Sequence, residues 1–323
     1  MVEQNIEMGK ANLEIFAETL QQLAEKDQNI LVVTSDSRGS GKLTAFGEAL
    51  PKQIVEIGIA EQNMVGISAG LASSGKKVFT VSPACFLTAR ALEQIKNDVA
   101  YSNNPVKVVG ISAGVSYGSL GTTHHSIHDF AVLQAINNID IVVPADNHET
   151  QEAIVAAVNY PRPLYIRFGK KSMPVKLPSL NSFEIGKASQ LKPEKDHYRI
   201  TFIANGETVY PSFLASNLLE QNNICCNVMS LHTIRPLDEQ AIINAANHSD
   251  LLVTVEEHSV NGGIGSRIAS LLLDERICTS LKIIGLPDDH TVAGSQEEIF
   301  GYYGISPQSL AETAKAALEV LEK

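Results

Sequence analysis

The chain has 323 residues, 44% hydrophobic and 19% charged, so it is long enough for two ordinary domains and apolar enough to fold. Its formal charge of −11 argues against the basic face a nucleic-acid binder needs, while leaving room for a local basic pocket that holds a small phosphorylated molecule. Four cysteines, Cys85, Cys225, Cys226 and Cys278, show no CxxC spacing, which predicts buried thiols in a reducing compartment rather than a zinc site or a disulfide framework.

The N-terminal MVEQNIEMGKANLE has no basic stretch ahead of an apolar core, so no signal peptide is expected. No apolar run approaches the ~20 residues of a membrane span, and a cytoplasmic protein with no membrane partner is expected. Apolar spacing over 10–25 predicts a helix. Short β-branched runs at 29–36, 53–59, 76–82, 105–112, 139–145 and 163–169 predict strands, and 60–75, 88–102 and 147–160 predict helices between them. Strands alternating with helices imply a doubly wound parallel sheet covered on both faces. Residues 173–197 are rich in Pro and Lys without an apolar period and read as a linker with one edge hairpin. The pattern then restarts, with strands at 198–208, 224–231, 249–257 and 281–287 and helices at 209–223, 263–275 and 306–323. The expected organisation is α/β throughout, with one domain over 1–172 and a smaller one over 198–323.

Glu61 is the residue most in need of explanation. It follows Ile57, Gly58, Ile59 and Ala60, with no basic neighbour in "EIGIAEQNMVG", at the start of a helix that is apolar nearly all round and therefore expected in the interior. There the helix dipole favours the carboxylate and desolvation favours the acid, a balance suited to exchanging one specific proton. A first-turn Glu that caps its helix in water is equally open on the local pattern. "GTTHHSIHD" offers His124 and His128 at i, i+4, but no third residue with zinc-ligand spacing follows. "NGGIGSRIASLL" is a Gly-rich turn into a helix that could hold an anion; alone it is a weak signal, and no site is assigned to it.

The wider run of "EIGIAEQNMVGISAGLASSGKKVF", "RALEQIKND", "GVSYGSLGTTHHSIHDFAVLQAI" and "VVPAD", continued by "RPLD", "VEEHSVNGGIGS" and "AGSQEE", resembles the C-terminal half of transketolase over nearly the whole chain. The resemblance implies a domain that binds the aminopyrimidine of thiamine diphosphate, followed by a transketolase C-terminal-like domain. It implies that Glu61 hydrogen-bonds a pyrimidine nitrogen, that Phe86 stacks on the ring, and that Asp36 approaches cofactor across a dimer interface. His124 would polarise the oxygens of the sugar and Arg167 would grip its phosphate. His125 and His128 would be structural or rim residues.

Several positions depart from the pattern. Pro83 replaces an aromatic. Leu120 stands where an Asp usually reads a sugar hydroxyl, Ser112 where a phosphate-contacting His is common, and Gly9 where an Arg is common. An apolar Leu120 points to a donor with a different carbon there, such as a branched sugar like apulose 4-phosphate, with xylulose 5-phosphate as the ordinary alternative. The chain also has no GDG motif, which in such enzymes holds Mg²⁺ and the diphosphate. The resemblance therefore implies half of an active site, with metal ligands on a separate N-terminal transketolase subunit carrying GDG. An α₂β₂ assembly is expected in which this chain pairs with itself through helices such as 60–74. The rival readings are the β subunit of a 2-oxo acid dehydrogenase and a non-catalytic regulatory subunit. A one-chain 1-deoxyxylulose-5-phosphate synthase fits less well, because the magnesium domain is missing.

Overall fold

The computed structural model describes residues 6–322. The start of the first expected domain, the first five residues of the signal-peptide reading and Lys323 of the last expected helix lie outside the described residues.

Strand β1 (Met8–Ala11) leads into α1 (Asn12–Ala24). Then come β2 (Ile30–Thr34), α2 (Thr44–Ala49), β3 (Ile54–Glu56), α3 (Glu61–Ser73), β4 (Lys77–Pro83) and α4 (Ala84–Arg90). A short turn, α5 (Leu92–Gln94), continues into π-helical turns over Ile95–Tyr101. The first half closes with β5 (Lys107–Ile111), a 3₁₀ turn (Gly118–Leu120), α6 (Asp129–Gln134), β6 (Asp140–Val142), α7 (Asn147–Val158), β7 (Leu164–Arg167) and β8 (Ser172–Pro174). The second half contains β9 (Ser189–Gln190), β10 (Tyr198–Ala204), α8 (Val209–Gln221), β11 (Cys226–Ser230), β12 (Thr233–Arg235) and α9 (Glu239–Asn247). It ends with β13 (Ser249–Ser259), α10 (Ile264–Asp274), β14 (Ser280–Leu286), α11 (Gln296–Tyr302) and α12 (Pro307–Leu321).

The larger sheet runs β12-β6-β7-β5-β4-β2-β3, and all its strands are parallel except β12. β5 is buried at every residue, as its near-continuous apolar run requires of a central parallel strand. The smaller sheet runs β14-β13-β10-β11-β9, parallel except for β9. The fold is thus α/β with two wound units, in line with the sequence.

The boundary between the units differs from expectation. The segment read as a linker with a hairpin instead supplies β8, which pairs with β1, and β9, which joins the second sheet. β12 crosses back and extends the first sheet beside β6. The apolar interior is also shared: Val143 and Tyr165 of the first unit belong to one cluster with Met229, Leu231 and Ile264 of the second. Two helix expectations also change. The helix expected over 88–102 breaks after Arg90 and resumes with π-helical turns, the geometry produced where an extra residue is accommodated in a helix. The helix expected to be buried all round, α3, leaves Gln62, Asn63, Gly70 and Ser73 exposed, with Ile59 ahead of it 72% exposed. Gly66 and Gly70 lend that face its apolar reading without supplying a side chain to bury.

The Gly-rich turn before α10 does hold an anion, and it is the chain's own. The Glu256 carboxylate accepts the backbone N–H of Ile264 at 2.7 Å and of Gly265 at 3.1 Å. Gly263 leaves no room for a Cβ beside that carboxylate.

Buried carboxylates line the contact between the units. Glu149, on α7, accepts from Ala145 N–H at 2.8 Å and from the Ser230 hydroxyl at 3.3 Å. Burial, then the neighbouring Asp146 charge, pushes its carboxyl up to about 8. A folded-state value above the unfolded one means the native state holds the extra proton, so stability falls as pH rises from the ordinary glutamate range through about 8. Glu149→Gln mimics the protonated acid. Its melting temperature should match that of the parent near pH 5 and exceed it near pH 9, and scanning calorimetry at the two pH values checks this. Equal pH dependence in both proteins would contradict it.

Candidate active site

In the larger sheet the chain places β3 on one side of β2 and β4 on the other, so the order of winding reverses there. Open parallel sheets bind ligands outside the carboxyl ends of their strands at such a point. Asp36 follows β2, Glu61 opens the helix after β3, Phe86 lies three residues beyond β4, Ser112 follows β5 and Lys170 follows β7. Asp36 and Ser112 both adopt left-handed backbone (φ 52°), a conformation that costs a non-glycine residue about 1 kcal/mol and gathers at functional sites. Glu56 braces the rim, accepting the N–H of Asp36 at 2.6 Å and of Gly58 at 3.0 Å.

Glu61 is 4% exposed in the first turn of α3. Its Oε1 accepts from Arg90 Nη1 at 3.0 Å, while no hydrogen bond to Oε2 is found among the described residues. The Arg90 guanidinium also lies 4.2 Å above the half-buried Phe86 ring. The Phe86 and Tyr117 rings meet His124 edge-on, with centroids 5.2 and 5.3 Å away, and Lys170 lies 4.7 Å over Tyr117. Thr123 Oγ1 is 3.0 Å from His124 Nδ1; when the hydroxyl donates there, the ring proton sits on Nε2, free to donate outward. One continuous surface therefore carries a buried carboxylate, a cation on an aromatic face, an imidazole held between two rings and an exposed ammonium.

Residues 9–176 match the family model for the transketolase pyrimidine-binding domain, and residues 186–310 match that for the transketolase C-terminal domain. The chain belongs to the transketolase family. It is 45% identical to one subunit of the apulose-4-phosphate transketolase of Phocaeicola vulgatus over 95% of this chain and 96% of that protein. A solved structure described as a split gene transketolase, inactive beta4 tetramer, superimposes with a TM-score of 0.83 at 30% identity, covering 98% of this chain and 100% of that one. Against the 1-deoxy-D-xylulose-5-phosphate synthase of Syntrophotalea carbinolica, identity is 31% over 93% of this chain but only 47% of that protein.

Within the transketolase frame, several site expectations are corrected. Glu61 does have a protein partner, since the break in the helix at Arg90 brings that side chain back onto it. Arg167 is not free to grip a phosphate. It is 4% exposed, with Nη1 3.2 Å from Asp129 and Nη2 3.5 Å from the Glu257 carboxylate, and Nη2 donates to the Glu257 backbone carbonyl at 2.7 Å. Ser112 is fully buried because the loop after β5 folds back over it, closed by paired backbone hydrogen bonds between Gly114 and Ser126. Its hydroxyl lies within reach of the Tyr117 hydroxyl, behind the site rather than on its surface.

Two of the other expected residues lie at the rim. Asp36 is exposed, and Leu120 is 53% exposed on the loop that carries His124. His125 is buried with Nε2 on the Gly118 carbonyl at 3.1 Å. At Gly9 a Cβ would overlap Asn147 Oδ1, so any side chain there requires Asn147 to shift. Sequence reasoning missed Arg90, Tyr117 and Lys170; Arg90 and Tyr117 lie inside motifs already singled out and Lys170 follows the last strand expected in the first domain, but only the folded chain joins them.

The two guanidinium groups differ sharply in exposure, and stability should reflect it. Arg90→Met should lower the free energy of urea unfolding by less than Arg167→Met does, because Arg90 is half exposed and its loss leaves one buried carboxylate, Glu61, without a cation rather than two. Arg167→Met leaves Asp129 and Glu257 buried without their cation and should cost about 3–5 kcal/mol. Equal losses would contradict the assigned burial.

Proposed function

We propose that this chain is the pyrimidine-binding half of a thiamine-diphosphate-dependent transketolase that is active with a second subunit. It transfers a two-carbon ketol unit from a phosphorylated ketose to an aldose phosphate such as glyceraldehyde 3-phosphate. The observation that carries this reading is the buried Glu61 carboxylate beside the Phe86 ring, both touched by Arg90, at the switch point of the sheet.

The residues present fit a flat heteroaromatic ring. Glu61 has one oxygen without a protein donor among the described residues, and Phe86 offers an aromatic face. Thiamine diphosphate, when bound, supplies the electron sink for breaking and forming the carbon–carbon bond. Glu61 would orient the ring by a hydrogen bond and hold a proton in a nearly dry position. Arg90 already occupies both Glu61 and the face of Phe86, so a ring bound between them takes over contacts from Arg90. His124 would donate to oxygens of the sugar, and Lys170, the exposed cation beside Tyr117, would meet the substrate phosphate in place of the buried Arg167. The chain has no GDG motif, and among the described residues no group of three or more His, Cys, Asp and Glu side chains is arranged to hold a metal ion. Mg²⁺ and the diphosphate are assigned to a GDG-bearing partner chain, in an α₂β₂ assembly working in the cytoplasm. The Phocaeicola relative, which this chain matches nearly end to end, is itself named as one subunit of a transketolase, and that supports the division.

An exposed Leu120 on the His124 loop presents an apolar surface where a hydroxyl-reading acid is otherwise expected. This favours the branched donor apulose 4-phosphate, and the relative of that name supports it. The test is a donor panel on the complex reconstituted with the GDG-bearing subunit encoded nearest, thiamine diphosphate and Mg²⁺. Apulose 4-phosphate should give a higher kcat/KM than xylulose 5-phosphate, and Glu61→Ala should lower kcat by about 10²–10⁴-fold. Preference for xylulose 5-phosphate overturns the Leu120 reading. An unaffected Glu61→Ala complex overturns the catalytic one in favour of a regulatory subunit.

A further inference from the structure

The loop between β5 and α6 carries Tyr117, Leu120, Thr123 and His124. Within the first unit, Phe86 packs on His124 and Lys170 lies over Tyr117. The neck of the loop is closed by the Gly114–Ser126 backbone pair, and Ala113 N–H donates to the Phe168 carbonyl. Further anchors come from the second unit. Glu257, near the carboxyl end of β13, accepts the backbone N–H of Val115 at 2.9 Å through Oε1. The same oxygen accepts Gln296 Nε2 at 2.7 Å, from the first residue of α11. Gly114 has positive φ, and a Cβ there would overlap the Glu257 carboxylate, so only glycine admits this approach. At Gly118 a Cβ would stand 2.5 Å from the Gly294 carbonyl. On the far side of the loop Ser259 N–H donates to the Ile127 carbonyl at 2.9 Å.

We infer that the second unit sets the position of the His124 loop, with Glu257 as its positioning residue and the Gly118–Gly294 contact as the second anchor. The inference rests on the reading that this loop faces the sugar, and it extends that reading: a domain remote from the chemistry fixes where His124 and Leu120 stand. Glu257 joins the loop to Arg167 through its carboxylate and its backbone carbonyl. A shift of β13 or α11 against the first sheet therefore moves the loop directly. Gln296 also donates to Glu207 at 2.5 Å, so the clamp is tied to the loop after β10 as well.

Hydrogen exchange on the purified chain, paired with kinetics of the reconstituted complex, tests this. In Glu257→Ala, amides of 114–124 should exchange about tenfold faster, the equivalent of one lost hydrogen bond, while β4 and β5 keep their protection. The KM for the sugar phosphate should rise about tenfold, with thiamine diphosphate affinity within about twofold of the parent. Glu257→Gln retains an acceptor for the Val115 N–H and should restore most of the loop protection and the KM. Should Glu257→Ala fail to fold, Gly118→Ala presses the loop off Gly294 and should give the same local exchange and KM change. Unchanged loop exchange, or loosening spread evenly over β4, β5 and β7, overturns the inference. The exchange arm needs no substrate, so a complex inactive on every donor would overturn the functional reading while leaving the positioning claim to be judged on exchange.

Discussion

Much of this molecule depends on one buried guanidinium. Arg167 ends β7, the strand beside the middle of the larger sheet, and lies between Asp129 of the first unit and Glu257 of the second. Its plane also lies 4.4 Å over Phe130, whose ring stacks on His258 at 4.7 Å. A buried charge is tolerated only when paired and hydrogen-bonded, so the two units cannot separate here without stranding three charges. The surrounding groups bear the cost. Burial drives Glu256 up to about 7 and His258 down to about 4, so the imidazole stays neutral beside the guanidinium. The contact is polar and geometrically demanding, which suits an interface that must hold one arrangement.

That arrangement reaches the candidate active site by a short route. Arg167 fixes Glu257, Glu257 takes the N–H of Val115, and nine residues later the same loop delivers His124 between Phe86 and Tyr117. On the other side of the switch point, Arg90 lies over the Phe86 ring and donates to Glu61. The sheet supplies the floor of the site, and the second unit supplies the alignment of its sugar-facing wall.

The architecture was legible in the sequence because its strands are β-branched runs bounded by polar loops, and its longer helices show apolar spacing. Short elements were not: β1, β8, β9 and β12 span two to four residues, too few for a period, and their placement is decided by pairing with distant strands. Glu61, Phe86 and His124 were legible through motif and lie close together in the fold. Arg167 was expected at a substrate phosphate because the resemblance places it there; its burial comes from Asp129 and Glu257, 38 and 90 residues away, which no local motif announces. The Arg90 contact escaped notice for a related reason. It follows from the break after α4, which no apolar period announces.

The central claim is that this chain holds half of a cofactor site. The most direct measurement is calorimetric titration of thiamine diphosphate with Mg²⁺ into this chain, into the GDG-bearing subunit, and into the two together. Tight, saturable binding in the mixture, and at least ~100-fold weaker binding to either chain alone, is the result expected of a divided site. Binding to this chain alone with the affinity of the mixture would contradict the account.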